Sequence, residues 1–272
     1  MLSIRIFSGL MAMAGTSSVM AELPTLEEKP WYGYFAGYQG KRADIGLDTD
    51  GEAMIIPLGK DRKQMTSQFA LKLIYQVEET LPDGKKVIRK FDVDSMESTS
   101  PATAKPGNIL FKGKLEGTET TFEGYFEIVR GMTMVGGRIV DKGAITNPLK
   151  FLIRINVPSA YKNAKIDDEK AFKKKVEADE IEVKLLDGKR AKANGAEEFD
   201  PTSEKFAGTG LAQVEFNIAE LAGNTFTFTA SPGSKIALSN SKGKPFYEGL
   251  VIAWESDPTA DAAKTRLAID VK

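Results

Sequence analysis

Carboxylate, serine, lysine and tyrosine side chains carry the chemistry open to this sequence, because it contains no histidine and no cysteine. Histidine is the commonest general base and transition-metal ligand, and cysteine is the other usual ligand of zinc and copper. Histidine-dependent serine triads and cysteine nucleophiles are therefore excluded. The sequence predicts no metal site and no cofactor.

Two groups of carboxylates have the spacing of side chains that share one face of a strand. Asp92 and Asp94 form the first group, and Glu123 and Glu127 flank Tyr125 in the second. Same-face neighbours on a strand lie about 6.6 to 7 Å apart, which just admits the wider carboxyl separation of inverting glycosidases. An acid and a base drawn from these carboxylates would suit glycan hydrolysis. An ordinary solvated strand face accounts for the same pattern.

Three other motifs lack the partners that their chemistry requires. Ser159–Lys162 and Ser239–Lys242 have the Ser-x-x-Lys spacing, without the Ser-Asp-Asn or Lys-Thr-Gly segments of a penicillin-binding type of site. Asp48–Glu52 resembles the middle of a calcium loop, but Gly46 and Pro57 occupy its first and last ligand positions. An Asp-Gly turn explains this segment better.

Tyrosines provide the sequence's best candidates for ligand contacts. The segment Trp31–Tyr38 is the densest aromatic stretch of the chain, and strand alternation would place Trp31 and Phe35 on a core-facing side. The tyrosines of this segment would then share the opposite face: Tyr32, Tyr34 and Tyr38. Together with Tyr125 they are the predicted ligand-binding residues, since a tyrosine ring is flat and amphipathic. A first strand packed on both faces is the alternative.

Strands must position these residues, because alternation of apolar and polar side chains is the commonest pattern in the chain. Phe69–Val77 and Val87–Asp94 flank the turn sequence Leu81–Lys85, which predicts a long hairpin. Acids precede bases in Asp168–Ala178, which predicts one short helix. The remaining predicted strands are Trp31–Tyr38, Ala43–Leu47, Ala53–Pro57, Ile109–Leu115, Thr121–Val129, Met132–Val140, Phe151–Val157, Ile181–Leu186, Arg190–Ala193, Leu211–Ile218, Thr225–Ala230, Lys235–Leu238, Tyr247–Trp254 and Arg266–Val271.

This spacing predicts an all-β fold of antiparallel, sandwich-like units with one connecting helix, and a closed or partly open barrel is the alternative. We expect an N-terminal β-rich domain at residues 22–160 and a C-terminal sandwich-like domain at residues 161–272, with the helix near residues 168–178. One continuous β domain over residues 22–272 is the alternative arrangement.

Residues 1–21 have the pattern of a signal peptide: a basic start, a short apolar stretch and a small-x-Ala cleavage site before Glu22. We therefore expect an exported protein of the periplasm or the exterior. No second apolar run is long enough to predict a transmembrane segment in the mature chain.

The balance of 37 basic against 38 acidic residues gives no support for nucleic acid as a partner. The sequence predicts an exported, noncatalytic binding or interaction protein, with a glycan or an envelope protein as its partner. A carboxylate-dependent glycan hydrolase and a structural or assembly component of the cell envelope are the alternatives. The oligomeric state is left open.

Overall fold

The computed structural model describes residues 23–162, 168–240, 244–256, 261 and 263–272. The predicted signal peptide lies outside these residues. Within the described residues the chain forms antiparallel strands almost throughout, so the predicted all-β fold is confirmed. None of the helices in this part of the chain is both long and apolar enough to cross a membrane.

The strands and the helix have the following bounds. They are β1 (Ala36–Gln39), β2 (Ala43–Leu47), β3 (Glu52–Pro57), β4 (Leu71–Thr80), β5 (Lys86–Arg89), β6 (Phe91–Ser98), β7 (Asn108–Leu115), β8 (Thr121–Val129), β9 (Met132–Asp141), β10 (Leu149–Asn156), α1 (Glu169–Glu177), β11 (Glu180–Leu185), β12 (Arg190–Asn194), β13 (Leu211–Asn217), β14 (Thr225–Ala230), β15 (Ser234–Ser239), β16 (Val251–Ser256) and β17 (Leu267–Val271).

Two runs of hydrogen-bonded strands make up the sheet. One run has the order β1, β2, β3, β4, β10, β16, β15, with β5 paired to the far end of β4. The other has the order β6, β7, β8, β9, β17, β14, β13, β11, β12. Among the strands that the structure describes, the residue pair of Leu211 in β13 with Ile236 in β15 joins the two runs.

The sheet curls so that the apolar faces of the two runs pack against each other. Side chains alternate along β4, where Leu71, Leu73, Tyr75 and Val77 are buried. The Tyr75 ring meets Phe111 of β7 edge-on, with ring centroids 5.1 Å apart. This contact crosses the interior of the curled, half-barrel sheet, and it places the core between the two runs.

Strands from both halves of the chain are neighbours in the sheet. β10 pairs with β16, and β9 pairs with β17, so ladders of hydrogen bonds cross the boundary predicted after residue 160. The division into two domains and the alternative of one continuous domain both stay predictions.

The predicted helix is confirmed, and its first turn shows why it begins where it does. The Asp168 carboxylate accepts hydrogen bonds from the backbone amides of Lys170 and Ala171 at 2.9 and 3.1 Å. These amides have no partner within the helix, so the cap satisfies them. Val176 is buried and attaches the helix to the core.

The predicted hairpin is confirmed as β4 and β5 around the turn Leu81–Lys85. Its second arm was predicted too long, because Phe91 and Asp92 belong to β6 and pair with β7. Other predicted strand bounds were also wrong. Residues 31–35 form turns, and β1 begins at Ala36. The amide of Trp31 donates to the Glu28 carbonyl, and Gly33 has a φ of 84°, a left-handed conformation that ends any alternating strand. Likewise, Tyr247 lies in a turn that precedes β16.

Two glycines on paired strands are required by the ring packing. Gly124 of β8 lies opposite Gly137 of β9, and a Cβ atom at either position would overlap the ring of Phe111 or of Phe151, respectively. We therefore expect Gly124→Ala to lower the free energy of unfolding by about 1 to 3 kcal/mol, the usual cost of overpacking a core.

Gly107→Ala is the matched control for this substitution in urea denaturation, because a Cβ atom at Gly107 would meet nothing within 4 Å. Equal stability of the two variants would contradict the packing argument.

Candidate functional site

Loops and strand ends enclose a cleft of about 1200 Å³, which we call the main cleft. It is lined by the segment 26–31, by Tyr38 and the β1–β2 turn, by residues 104–106, by the β8–β9 turn and by the end of β17. Its floor is apolar, with Ile45 and Ile269 buried and Ile128 half-buried. An apolar floor with polar groups at its edge is the usual composition of a ligand site.

Tyr38 lines the main cleft, and its aromatic side chain is half-exposed there. It lies on β1 opposite Ile45 of β2, and its ring packs against the buried core. The β8–β9 turn approaches the hydroxyl, because a Cβ atom at Gly131 would lie 3.9 Å from it. The ring is therefore held by two elements and presents its remaining surface to the cleft.

Trp31 also lines the main cleft, but it is only 3% exposed. Its indole lies directly on Gly37, where a Cβ atom would overlap it, and beside Gly46. Tyr34 meets the indole edge-on, with ring centroids 5.5 Å apart. Trp31 therefore fixes the segment 26–31 on the sheet and offers little ring surface to a ligand.

The predicted tyrosines do not share one surface. Tyr32 is 72% exposed and lies in a turn, whereas Tyr34 is half-buried beside Trp31. Burial raises the pKa of the Tyr34 hydroxyl, with a smaller contribution from the Asp48 carboxylate. Tyr38 alone of this segment's tyrosines lines the main cleft, and Tyr125 lines a different pocket.

That second pocket, which we call the Tyr125 pocket, has a volume of about 350 Å³ on the outer face of β7, β8 and β9. The guanidinium of Arg266 lies over the Tyr125 ring, 3.5 Å from its centroid. The Tyr125 hydroxyl donates to Glu127 at 2.5 Å. Burial and this carboxylate raise the pKa of Tyr125. Because Arg266 covers one side of the ring, that side is closed to a stacked ligand.

The carboxylates with acid or base spacing are separated in the same way. Glu123 lines the Tyr125 pocket and accepts a hydrogen bond from Arg138 at 2.8 Å, and no other described carboxylate lines this pocket. Asp92 and Asp94 lie on β6, where the pairing with β7 is irregular between Asp92 and Glu97. Regular alternation therefore does not hold along this part of β6.

Charged side chains at the main cleft come from separate parts of the sequence, and no sequence motif identified them. The cations are Lys29, Lys41, Arg42, Lys105 and Arg130, and the acids are Glu27, Glu28 and Asp270. Arg130-Gly131 between two alternating runs was the one local signal, since it marks a hairpin turn that must project from the sheet. No group of three or more carboxylates in the described part of the chain has the arrangement of a metal site.

The edge strand β12 bears on the hypothesis that the protein is a structural or assembly component of the cell envelope. β12 pairs with β11, and no second ladder to β12 occurs among the described residues. Arg190 and Lys192 are exposed on this strand and bind the Glu182 carboxylate, Lys192 at 2.7 Å. Charged side chains along an edge oppose pairing with another strand.

The fold has counterparts among solved structures. Three structures of the α-N-acetylgalactosaminidase NagBb from Bifidobacterium bifidum match the chain: a complex with GalNAc (TM-score 0.52, 10% identity), a complex with Gal-NHAc-DNJ (0.51, 9%) and a quadruple mutant (0.51, 9%). Each match covers 87% of this chain and 35% of the other, so the chain spans about a third of NagBb. At this identity the likeness shows the fold alone.

No protein-family model matches the chain, and no curated protein matches it.

Asp48, in the turn beside Tyr34, is expected to make the stability of the protein depend on pH. Its carboxylate accepts hydrogen bonds from the amides of Asp50 and Glu52 at 3.1 and 2.8 Å. Burial nevertheless raises its pKa to about 6, above the roughly 3.9 of an unfolded chain. The raised pKa adds stability that is fully present below about pH 3.9 and is lost as the pH rises through 6.

We therefore expect Asp48→Asn to gain stability relative to the wild type between pH 4 and pH 7.5, by about 1 kcal/mol once solvent screening is allowed for. The measurement is urea unfolding of both proteins at several pH values. A difference between them that does not change with pH would contradict the assignment.

Proposed function

We propose that the chain is an exported, noncatalytic carbohydrate-binding protein and that it binds its ligand in the main cleft. The observation that carries this proposal is the combination of a half-exposed Tyr38 ring with an apolar floor and a charged edge. A sugar ring presents an apolar face and a circle of hydroxyls, so it needs a flat aromatic surface and polar groups around it.

The size of the main cleft supports an oligosaccharide. Its volume of about 1200 Å³ exceeds the roughly 300 to 1,000 Å³ of sites for small molecules. Its walls are turns and strand ends, which tolerate sequence change while the sheet stays fixed. The fold likeness to part of NagBb, a glycosidase described in complex with GalNAc, adds a circumstantial link to carbohydrate.

Hydrolysis by the acid and base residues that the sequence predicted is disfavoured by their surroundings, and none of those residues lines the main cleft. Glu123 is held by Arg138, and Glu127 accepts from Tyr125, so each is occupied by a fixed partner. A glycosidase of the usual kind needs a carboxylic acid and a carboxylate facing each other across the glycosidic bond. Glu123 has no such second carboxylate among the described residues that line its pocket.

Tyr38→Ala should weaken glycan binding about 5- to 30-fold, because it removes a stacking contact of about 1 to 2 kcal/mol. Tyr38→Phe keeps the ring and should retain most of the affinity. The measurement is affinity gel electrophoresis against a panel of soluble polysaccharides, followed by calorimetry with the best ligand.

Tyr32→Ala is the matched control, since Tyr32 is exposed and does not line the main cleft. Equal losses for Tyr32→Ala and Tyr38→Ala would move the site elsewhere. Absence of binding to every carbohydrate in the panel would reject the proposed function.

Export is the part of the proposal that rests on residues 1–21. Expression of the full chain in a Gram-negative host should place the protein in the periplasm with Glu22 as its first residue. N-terminal sequencing of the periplasmic fraction makes the test. A protein that stays in the cytoplasm with residues 1–21 attached would reject export while leaving the binding site untouched.

A further inference from the structure

Positive charge is concentrated at the main cleft. Five cationic side chains line it, and all of them are exposed: Lys29, Lys41, Arg42, Lys105 and Arg130. None of these forms an ion pair with another described residue. Of the lining acids, Asp270 is already paired with Lys272 at 3.1 Å. The cleft therefore carries more positive charge than its own carboxylates neutralise.

Elsewhere on the surface some cations have a carboxylate partner, and others, such as the exposed Lys170, form no ion pair with a described residue. Lys150 and Lys235 both bind Glu255, at 2.6 and 3.0 Å, on the outer side of β10, β15 and β16. The five cations outnumber the three acids that line the main cleft, so the cleft offers an anion more positive than negative groups.

Arg130 shows that the positive charge is kept at a conformational cost. It has a φ of 53°, Gly131 has a φ of 85°, and Val129 pairs with Met132. Two central residues with positive φ define a type I′ turn, for which Asn-Gly is the preferred sequence. Arginine is disfavoured at the first central position, and strained residues of this kind concentrate at functional sites.

We propose that the ligand of the main cleft is an anionic saccharide, one whose rings carry carboxylate or sulfate groups; this rests on the proposed carbohydrate-binding function. The cations approach the cleft from the segment 26–31, the β1–β2 turn, the segment 104–106 and the β8–β9 turn. A ligand that meets all of them must have several negative charges along its length. The apolar floor and Tyr38 contact its rings, while arginine forks bind its acid groups.

The matched probes are an oligogalacturonate and its neutral methyl ester, and dextran sulfate and neutral dextran. The anionic member of at least one pair should bind at least about tenfold more tightly, and its affinity should fall steeply as salt is raised from 50 to 500 mM. Equal affinity within both pairs would overturn the proposed ligand class and leave carbohydrate binding intact. Failure of all four to bind would count against both.

Arg130→Asn removes the charge and supplies the preferred turn residue, so we expect the melting temperature to hold or rise while affinity for the anionic probe falls about 3- to 10-fold. Lys41→Gln should weaken binding to a similar extent. Lys170→Gln is the control, because it removes an exposed charge of α1 that does not line the cleft.

A loss with Lys170→Gln as large as with Arg130→Asn would indicate unspecific attraction and overturn the site. Tighter binding of a single-stranded oligothymidylate than of either anionic saccharide would assign the cleft to nucleic acid instead.

Discussion

Close packing of aromatic rings onto bare backbone is the constraint on which this structure depends. Phe111 and Phe151 lie where Gly124 and Gly137 leave the inner face of β8 and β9 without side chains. Because those glycines face each other across the ladder, the rings enter the sheet surface and the two runs of strands approach closely. The chain has no cysteine, so the packed core must supply its stability without disulfides.

The same interaction builds the cleft. Trp31 covers Gly37 and contacts Gly46, which attaches the segment 26–31 to β1 and β2 and fixes one wall. The β8–β9 turn also lines the cleft, and its strands are held by the Gly124 and Gly137 packing. A ligand site formed by loops thus has two rigid supports, and rigid supports lower the ordering cost of binding.

Much of the fold followed from period-two alternation and turn chemistry. The hairpin around Leu81–Lys85 and the helix after Asp168 were predictable because the relevant interactions are local. The segment Trp31–Phe35 was not, because its indole is bound by glycines of β1 and β2 and its alternating pattern is coincidental. Tertiary packing overrode the local pattern there.

The main cleft could not be predicted from the sequence, because it too depends on tertiary packing. Its cations come from four separate segments, and the near-equality of 37 basic and 38 acidic residues conceals them. Net charge describes the long-range field of a protein, whereas binding depends on which charges the fold brings together. The prediction of a tyrosine site failed in the other direction, because it grouped residues that the fold separates. These are Tyr32, Tyr34, Tyr38 and Tyr125.

Fold likeness and site chemistry carry different information here. The sheet arrangement recurs within NagBb, yet a sheet of this kind specifies only where loops project, and the loops of this chain carry their own charges. Arg130 has a left-handed backbone conformation, which is less favourable for arginine than for glycine or asparagine. Strained residues concentrate at functional sites, so the conformation of Arg130 supports the proposal that the main cleft binds a negatively charged ligand.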